Sequence, residues 1–441
     1  MAKSRKVNAK QGKMGQSNVY NLGTNTVLFF LTLNLVLTVL LMGGLYKHAS
    51  WTTPKQRRTN REITGEQMEK KAITIDPNSI INLDHGDPTM FESFWKDMGE
   101  KATVVIPGWH MMSYFSNASN LCWFLEPEFA NQVRRLHRTV GNALTDDRHI
   151  IVGVGSTQLI HATLYALTSV EERQPVDVIS AAPFYSMYPG ITNFLKSGLF
   201  KWAGDAKAYT GDSNFIEIIC SPNNPDGELR NPILVSQNPG NQIHDMAYYW
   251  PQYTPMRGPV DHDITLFTVS KATGHAGTRI GWALVKDADV ARRMVKFIEM
   301  NSIGVSKDSQ VRAAKILELV SDGYEFPDLG KPRLFDFGRR LMADRWQRLR
   351  QAVEVSGKFS LPDFPSEFCE FTKELAETYP AFAWLRCEGD AGEDCEGFFG
   401  RLKILTRSGT HFGAGPEYVR ISMLDRDANF DEFIRRISSQ A

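Results

Sequence analysis

The sequence predicts an α/β fold: a large domain on a mixed sheet, a smaller α+β domain beside it, and one N-terminal transmembrane helix ahead of both. Three observations carry this expectation. β-Rich runs recur near residues 150–154, 176–181, 215–220, 242–246, 264–269 and 280–285, with helical stretches between several of them. At 441 residues and 42% hydrophobic, the chain can bury at least one large core. Residues 26–46 form an uncharged apolar run close to the length that crosses a bilayer core.

In chain order, residues 1–25 are a basic tail carrying Lys3, Arg5, Lys6, Lys10 and Lys13, and no acidic residue appears before Glu62. From Val27 to Leu45 only Thr32, Asn34, Thr38 and the Gly43–Gly44 pair interrupt the apolar side chains. A cleaved signal peptide is the alternative, but its apolar core is usually about 7–15 residues, so the longer run reads as an uncleaved anchor. Residues 47–73, rich in Thr, Lys and Arg, read as a linker. The flanks tie on positive charge: five Lys or Arg precede the run, and Lys47, Lys55, Arg57, Arg58 and Arg61 follow it.

Residues 74–124 are assigned to the smaller domain, residues 125–330 to the large one, and 331–441 again to the smaller. In the large domain, Ile150 to Val154 runs through glycine into Gly155-Ser156-Thr157-Gln158, a strand-to-helix step that can present backbone N–H groups and two hydroxyls to a phosphate. Val176 to Ala182 leads into Pro183-Phe184-Tyr185, whose tyrosine can stack on a planar ring. Ile216 to Cys220 leads into Asn223-Asn224-Pro225-Asp226-Gly227, and Asn224, preceding proline, is biased to extended backbone. Ile243-His244-Asp245-Met246-Ala247-Tyr248 reads as a buried strand ending in Asp-x-x-Tyr.

The densest segment is Thr268-Val269-Ser270-Lys271, a small-residue loop, then Arg279 eight positions after the lysine. A lysine amine can condense with an aldehyde while Ser270, Arg279 and loop N–H groups hold a phosphate on the same ligand. Pyridoxal 5'-phosphate (PLP) carries both groups. Asp245 can pair with its pyridine nitrogen, since an adjacent opposite charge favours the charged form by about 1–3 pKa units. Tyr248 and Asn224 can reach the ring oxygen. Taken singly, each motif is ordinary: solvated charges about a glycine turn, a capped helix, a core aromatic, a satisfied strand corner. It is the conjunction, in this order, that points to chemistry.

In the smaller domain the helical patterns are Gly338 to Val355 and Phe430 to Ser438, and Tyr418-Val419-Arg420-Ile421-Ser422 alternates like a strand. An arginine between apolar neighbours is ordinarily solvent-facing or paired. Fifty acidic and fifty basic residues balance, so no net charge points to nucleic acid, and the ten histidines show no zinc spacing. No metal site is expected. The five cysteines, Cys122, Cys220, Cys369, Cys387 and Cys395, are sparse and odd in number, which suits reduced thiols.

The ordered set Gly155 to Gln158, Pro183 to Tyr185, Asn224 to Gly227, Asp245 to Tyr248 and Ser270-Lys271 through Arg279 resembles the fold-type I PLP enzymes. More narrowly, Leu83-Asp84-His85-Gly86-Asp87-Pro88, Met112-Ser113-Tyr114-Phe115, Asn120 to Pro127 and Thr273-Gly274-His275-Ala276-Gly277 resemble the plant tryptophan aminotransferase and alliinase group. The resemblance runs from about residue 74 to the C-terminus. The cysteine-rich module that precedes the catalytic domain of alliinases has no counterpart here, since no cysteine lies before residue 122.

That resemblance implies PLP as cofactor and Lys271 as the catalytic residue. Ser156, Thr157, Ser270 and Arg279 would serve the phosphate end of the site, Tyr185, Asn224, Asp245 and Tyr248 the ring, with Thr268 a further cofactor-binding residue. Gly86 and Arg420 would bind substrate, the arginine forking onto its α-carboxylate. A homodimer is implied, with Tyr114 a candidate to reach the partner's phosphate. The implied substrates are an amino acid and a 2-oxo acid. The implied reaction converts tryptophan and pyruvate to indole-3-pyruvate and alanine for auxin synthesis. An alliinase-like C–S lyase and a non-catalytic membrane-anchored scaffold are the alternatives. The expected location is a single-pass membrane protein of the endoplasmic reticulum. Its catalytic domain is expected to face the cytosol, because the sequon Asn117-Ala118-Ser119 lies beside Tyr114 and the cysteines read as reduced.

Overall fold

The structure is a computed structural model describing residues 76–440, apart from 77, 172–173, 212–213, 235–240, 327–329 and 331. The tail, anchor and linker expected over residues 1–73 lie outside the described residues. Among the described residues no helix is long and apolar enough to cross a membrane.

A seven-stranded mixed sheet forms the larger layer: β1 (His149–Gly153), β2 (Val176–Ser180), β3 (Phe200–Asp205), β4 (Phe215–Cys220), β5 (Gln242–Asp245), β6 (Ile264–Thr268) and β7 (Gly281–Val285). Their order is β1-β7-β6-β5-β4-β2-β3. All neighbours pair in parallel except β7, which runs antiparallel to both β1 and β6. Six of the strands coincide with the β-rich runs of the sequence. The strand that the sequence reading passes over is β3: it lies at the sheet edge, buries few side chains and contains Gly204, so it lacks a continuous apolar run. Strands β4, β6 and β7 are buried throughout, as expected of strands covered on both faces.

Helices α1 (Pro127–Val140), α2 (Gly155–Ala166), α3 (Ala288–Ser302) and α4 (Lys307–Glu325) accompany this sheet. Helix α1 begins with proline at its first position and ends at a left-handed Gly141, a pairing that sequence can specify because the first N–H needs no partner and glycine tolerates positive φ. Its buried His137 joins α1 to the sheet. Trp282 Nε1 donates to His137 Nε2 at 2.9 Å, so Nδ1 carries the proton toward Asn142 Oδ1 at 2.7 Å, and Asn142 donates to the Tyr249 carbonyl at 2.8 Å. Burial lowers the His137 pKa to about 4, which keeps that ring neutral. The turn that carries Tyr248 is thereby tied to the helix.

A second, antiparallel sheet combines β8 (Phe359–Ser360), β9 (Phe382–Cys387), β10 (Arg407–Ser408) and β11 (Tyr418–Ser422) in the order β10-β11-β9-β8. Helices α5 (Leu334–Ser356) and α6 (Asp427–Ser438) extend the two helical patterns of the sequence by a few residues. The short strand Ile81–Asn82 pairs in parallel with Ile404–Leu405, so residues 81–82 join the C-terminal part of the chain.

One expectation is corrected. Cys387 and Cys395 are joined in a disulfide, with Cα atoms 5.6 Å apart. The chain turns back after β9 and brings the start of the helix Cys395–Arg401 to the strand end, a contact that residue counting cannot see. Cys122, Cys220 and Cys369 remain free and buried. The argument for a cytosolic domain from reduced cysteines therefore falls.

Candidate active site

The carboxyl ends of the parallel strands gather the motifs, as the open α/β sheet requires: ligands sit where successive strands deliver their loops. A cavity of about 160 Å³ there is lined by Ser156 and Thr157 after β1, Tyr185 after β2, Asn224 after β4, Asp245 and Tyr248 at and after β5, and Thr268, Ser270, Lys271 and Arg279 around β6. Cys220, Ala247 and Ala276 complete the wall.

At one end, helix α2 starts without a side-chain cap, leaving the N–H groups near Ser156 and Thr157 open to an anion. Gly155 takes φ +70° there, and a Cβ on it would lie 2.5 Å from Arg279 Nη2. The guanidinium thus rests on the helix start. Its Nη1 donates to the Ala276 carbonyl at 2.8 Å, and among the described residues it makes no ion pair. Thr268 Oγ1 donates to the Ile280 carbonyl at 3.0 Å and lies 3.0 Å from Ser270 Oγ, whose hydroxyl can donate to it, fixing both hydroxyls at the foot of the short helix Val269–Ala272.

At the other end, Asp245 is fully buried and burial raises its pKa, opposed by a hydrogen bond from the Tyr188 hydroxyl at 2.9 Å and by the Ala247 N–H. Asn224 Nδ2 donates to the Tyr248 hydroxyl at 3.3 Å, while Asn224 Oδ1 accepts from Arg420 Nη1 at 3.1 Å. Burial drives the Tyr248 pKa well up, so it stays a neutral phenol. Tyr185 meets Tyr188 edge-on, with centroids 5.3 Å apart.

Lys271 Nζ donates to the Gly86 carbonyl. Burial first, then the nearby Arg420 charge, lowers its pKa to about 8. A Cβ on Gly86 would lie 2.9 Å from the Phe382 ring and 3.1 Å from Lys271 Nζ, so only glycine fits between them. Arg420, on β11, is buried: its guanidinium lies 4.2 Å from the Phe382 ring centroid and 5.2 Å from that of Phe412, and Nη2 donates to the Asp84 carbonyl. Burial lowers its pKa to about 10, leaving it charged at neutral pH, and among the described residues Nε has no hydrogen-bond partner. A carboxylate would supply one.

The model of the allinase family (Alliinase_C) matches residues 81–441. The chain belongs to the alliinase and tryptophan aminotransferase-related family. It is 58% identical over 408 residues to tryptophan aminotransferase-related protein 2 of Oryza sativa subsp. japonica, covering 90% of this chain and 80% of that one. It is 54% identical over 368 residues to tryptophan aminotransferase-related protein 2 of Arabidopsis thaliana, with 83% of each chain covered. Alliin lyase of Allium cepa var. aggregatum is 36% identical over 358 residues, 79% of each chain. Among solved structures, an aminotransferase from Staphylococcus aureus superposes with a TM-score of 0.56 at 17% identity, covering 84% of this chain and 96% of that one. A Thermus thermophilus aspartate aminotransferase gives 0.54 at 15%, covering 82% and 92%. The fold is that of the fold-type I aminotransferases.

PLP is the cofactor of this alliinase-type family, and the donor set fits it. An uncapped helix start beside an arginine with no ion pair among the described residues suits the phosphate, a buried carboxylate whose ionised form the Tyr188 and Ala247 hydrogen bonds favour suits a protonated ring nitrogen, and an amine of lowered pKa suits the aldehyde.

The residues singled out from sequence do not all line the cavity. Gly86 and Arg420 stand at its edge, touching Lys271 and Asn224. Tyr114 is 72% exposed and lines a separate surface hollow with Met111, Phe124 and residues 302–308. Sequence reading missed Tyr188, which supports Asp245, and the aromatic pair Phe382 and Phe412 about Arg420. Tyr188 falls one helical turn after Tyr185, the only sequence hint of it; the two phenylalanines lie far along the chain and gave none.

Proposed function

We propose that this family member is a PLP-dependent aminotransferase that converts L-tryptophan and pyruvate to indole-3-pyruvate and alanine in auxin synthesis. The observation that carries the reading is the arrangement of two basic side chains, Arg420 and Lys271. Arg420 has an Nε lacking an acceptor among the described residues, and Lys271, a low-pKa amine, is tied to the Gly86 carbonyl beside it. An α-carboxylate forked onto Arg420 would bring the substrate Cα toward Lys271, and the buried Phe382 and Phe412 rings hold that guanidinium in place. The relatives named tryptophan aminotransferase-related, at 54–58% identity, support the choice of donor.

When bound, PLP supplies an electron sink for the pair released as the Cα–H bond breaks. Ser156, Thr157, Ser270, Arg279 and the start of α2 would hold its phosphate, with Thr268 bracing Ser270. Asp245, supported by Tyr188, would keep the ring nitrogen protonated, while Asn224 and Tyr248 would donate to the ring oxygen and Tyr185 would cover the ring. Lys271 acts as the base that takes the α-proton, which requires it neutral; a pKa of about 8 leaves a useful neutral fraction at physiological pH. Arg420 and Gly86 orient the substrate so that its Cα–H faces that amine.

A C–S lyase is the second reading, favoured by the 36% identity to alliin lyase. The same proton abstraction serves it, followed by loss of a group from Cβ. Purified protein with PLP should form indole-3-pyruvate and alanine from tryptophan and pyruvate, and should release no pyruvate from a cysteine sulfoxide without an amino acceptor. Pyruvate release alone would exchange the first reading for the second, and neither reaction would leave the non-catalytic scaffold.

The proposal extends to a homodimer in which Tyr114 reaches the partner's phosphate site, and to a single-pass anchor at 26–46 in the endoplasmic reticulum membrane. A cytosolic catalytic domain rests on the sequon at Asn117 alone. Deleting residues 1–46 should release the protein from carbonate-washed membranes with its specific activity kept; persistent membrane association would remove the anchor from the proposal.

A further inference from the structure

Arg420 has a neighbour of like charge. Arg407 on β10 stands directly across from it in the β10–β11 register. Opposed residues on adjacent antiparallel strands share a face, with Cβ atoms about 4.5–5.5 Å apart. Two guanidiniums side by side would suit a substrate with two carboxylates, one on the α-carbon and one on the side chain.

One of the two is already answered. Arg407 forks onto Asp84, Nε to Oδ1 at 2.6 Å and Nη2 to Oδ2 at 3.0 Å, and its remaining arm donates to Ser186 Oγ at 3.0 Å, one residue after the cavity-lining Tyr185. Asp84 also turns its main-chain carbonyl to Arg420 Nη2. The Arg407 and Asp84 side chains keep 27% and 34% exposure, so the pair is not sealed in the core.

We propose that Asp84 sets the charge preference of the substrate pocket: by neutralising Arg407 it disfavours dicarboxylic amino acids and leaves the pocket to uncharged side chains. This rests on the aminotransferase reading and names the substrate class of that site. Bidentate arginine–carboxylate geometry is the strongest recognition available to a second carboxylate, and Asp84 occupies it. An acidic side chain must then displace Asp84 or sit against a like charge, which is specificity by a built-in repulsive element. The Asp84 carboxylate also raises the Arg407 pKa, and the Arg407 charge is felt at Tyr185 and Arg420.

The test uses the full chain with PLP: wild type, Asp84→Asn, Arg407→Met and the double variant. It compares kcat/KM for glutamate, tryptophan and lysine with one 2-oxo acid, and calorimetric binding of two unreactive acids, glutarate and indole-3-propionate. Asp84→Asn should raise the glutamate-to-tryptophan ratio about tenfold or more, mainly through KM, and tighten glutarate but not indole-3-propionate. The double variant should lose that gain. Arg407→Met, with the Asp84 charge left uncompensated, should shift preference from glutamate toward lysine. The proposal is overturned if Asp84→Asn leaves both ratio and glutarate affinity within about twofold of wild type, or if its gain persists in the double variant. Should Asp84→Asn fail to fold, an unchanged lysine-to-glutamate ratio in Arg407→Met overturns it equally. A wild type that transaminates no donor sinks the aminotransferase reading instead, and glutarate binding still decides the role of Asp84.

Discussion

The Tyr188 hydroxyl donates to the Asp245 carboxylate at 2.9 Å, with both side chains buried beneath the ends of β2 and β5. Burial raises the Asp245 pKa and this bond opposes the rise, so Tyr188 helps keep Asp245 ionised. Tyr188→Phe should therefore push the Asp245 pKa further up and weaken PLP binding. Hydrogen bonds to charged groups contribute about 1.5–3 kcal/mol, which corresponds to a roughly 10- to 100-fold loss of affinity. The PLP dissociation constant of the variant checks this, and an unchanged value removes Tyr188 from the site.

Lys271 should show its lowered pKa directly. With a pKa of about 8 against an ordinary 10.5, its neutral fraction at pH 7 is roughly 300-fold higher than that of a solvated lysine. PLP incorporation into the apoprotein should speed up as pH rises and level off above about 8. Arg420→Met removes a positive neighbour, makes the ammonium easier to hold, and should move that midpoint upward. Lys271→Ala should abolish turnover and borohydride trapping of the cofactor; trapping that survives would point to another lysine.

Gly155→Ala tests the phosphate end. The new methyl meets Arg279 Nη2 at 2.5 Å and forces a positive φ on a residue with a Cβ, a strain of about 1–2 kcal/mol. Arg279 must swing off the helix start. We expect PLP affinity to fall at least tenfold while the circular dichroism spectrum stays native. Full affinity would mean that Arg279 does not serve the phosphate.

Arg420→Lys separates substrate binding from structure. A carboxylate clamp loses its fork, so kcat/KM for tryptophan should drop about 100-fold while the melting temperature moves only a few degrees. Arg420 also bonds Asn224 and the Asp84 carbonyl, so a purely structural role predicts a different pattern. In that case melting temperature and PLP affinity would fall together, since breaking a buried charged network costs about 3–5 kcal/mol. Measuring all three on one preparation decides it.

The sequence by itself determined the cavity-lining residues that follow strands. Six of the seven large-sheet strands are marked by β-branched and apolar runs, and in a parallel sheet the residues just beyond such runs, from Ser156 to Lys271, come to one edge without further instruction. The edge strand β3 escaped because an edge needs little apolar surface. Only the tertiary structure decided the rest. Arg420 comes to Lys271 from a different sheet, Arg407 finds Asp84 across most of the chain, and Tyr188 meets Asp245 from the start of the helix Tyr188–Phe194. The Cys387–Cys395 bridge has the same origin. A local pattern encodes which face or end of an element a residue occupies, whereas these partners are set by where separate elements pack, and that packing is fixed by burial summed over the whole core.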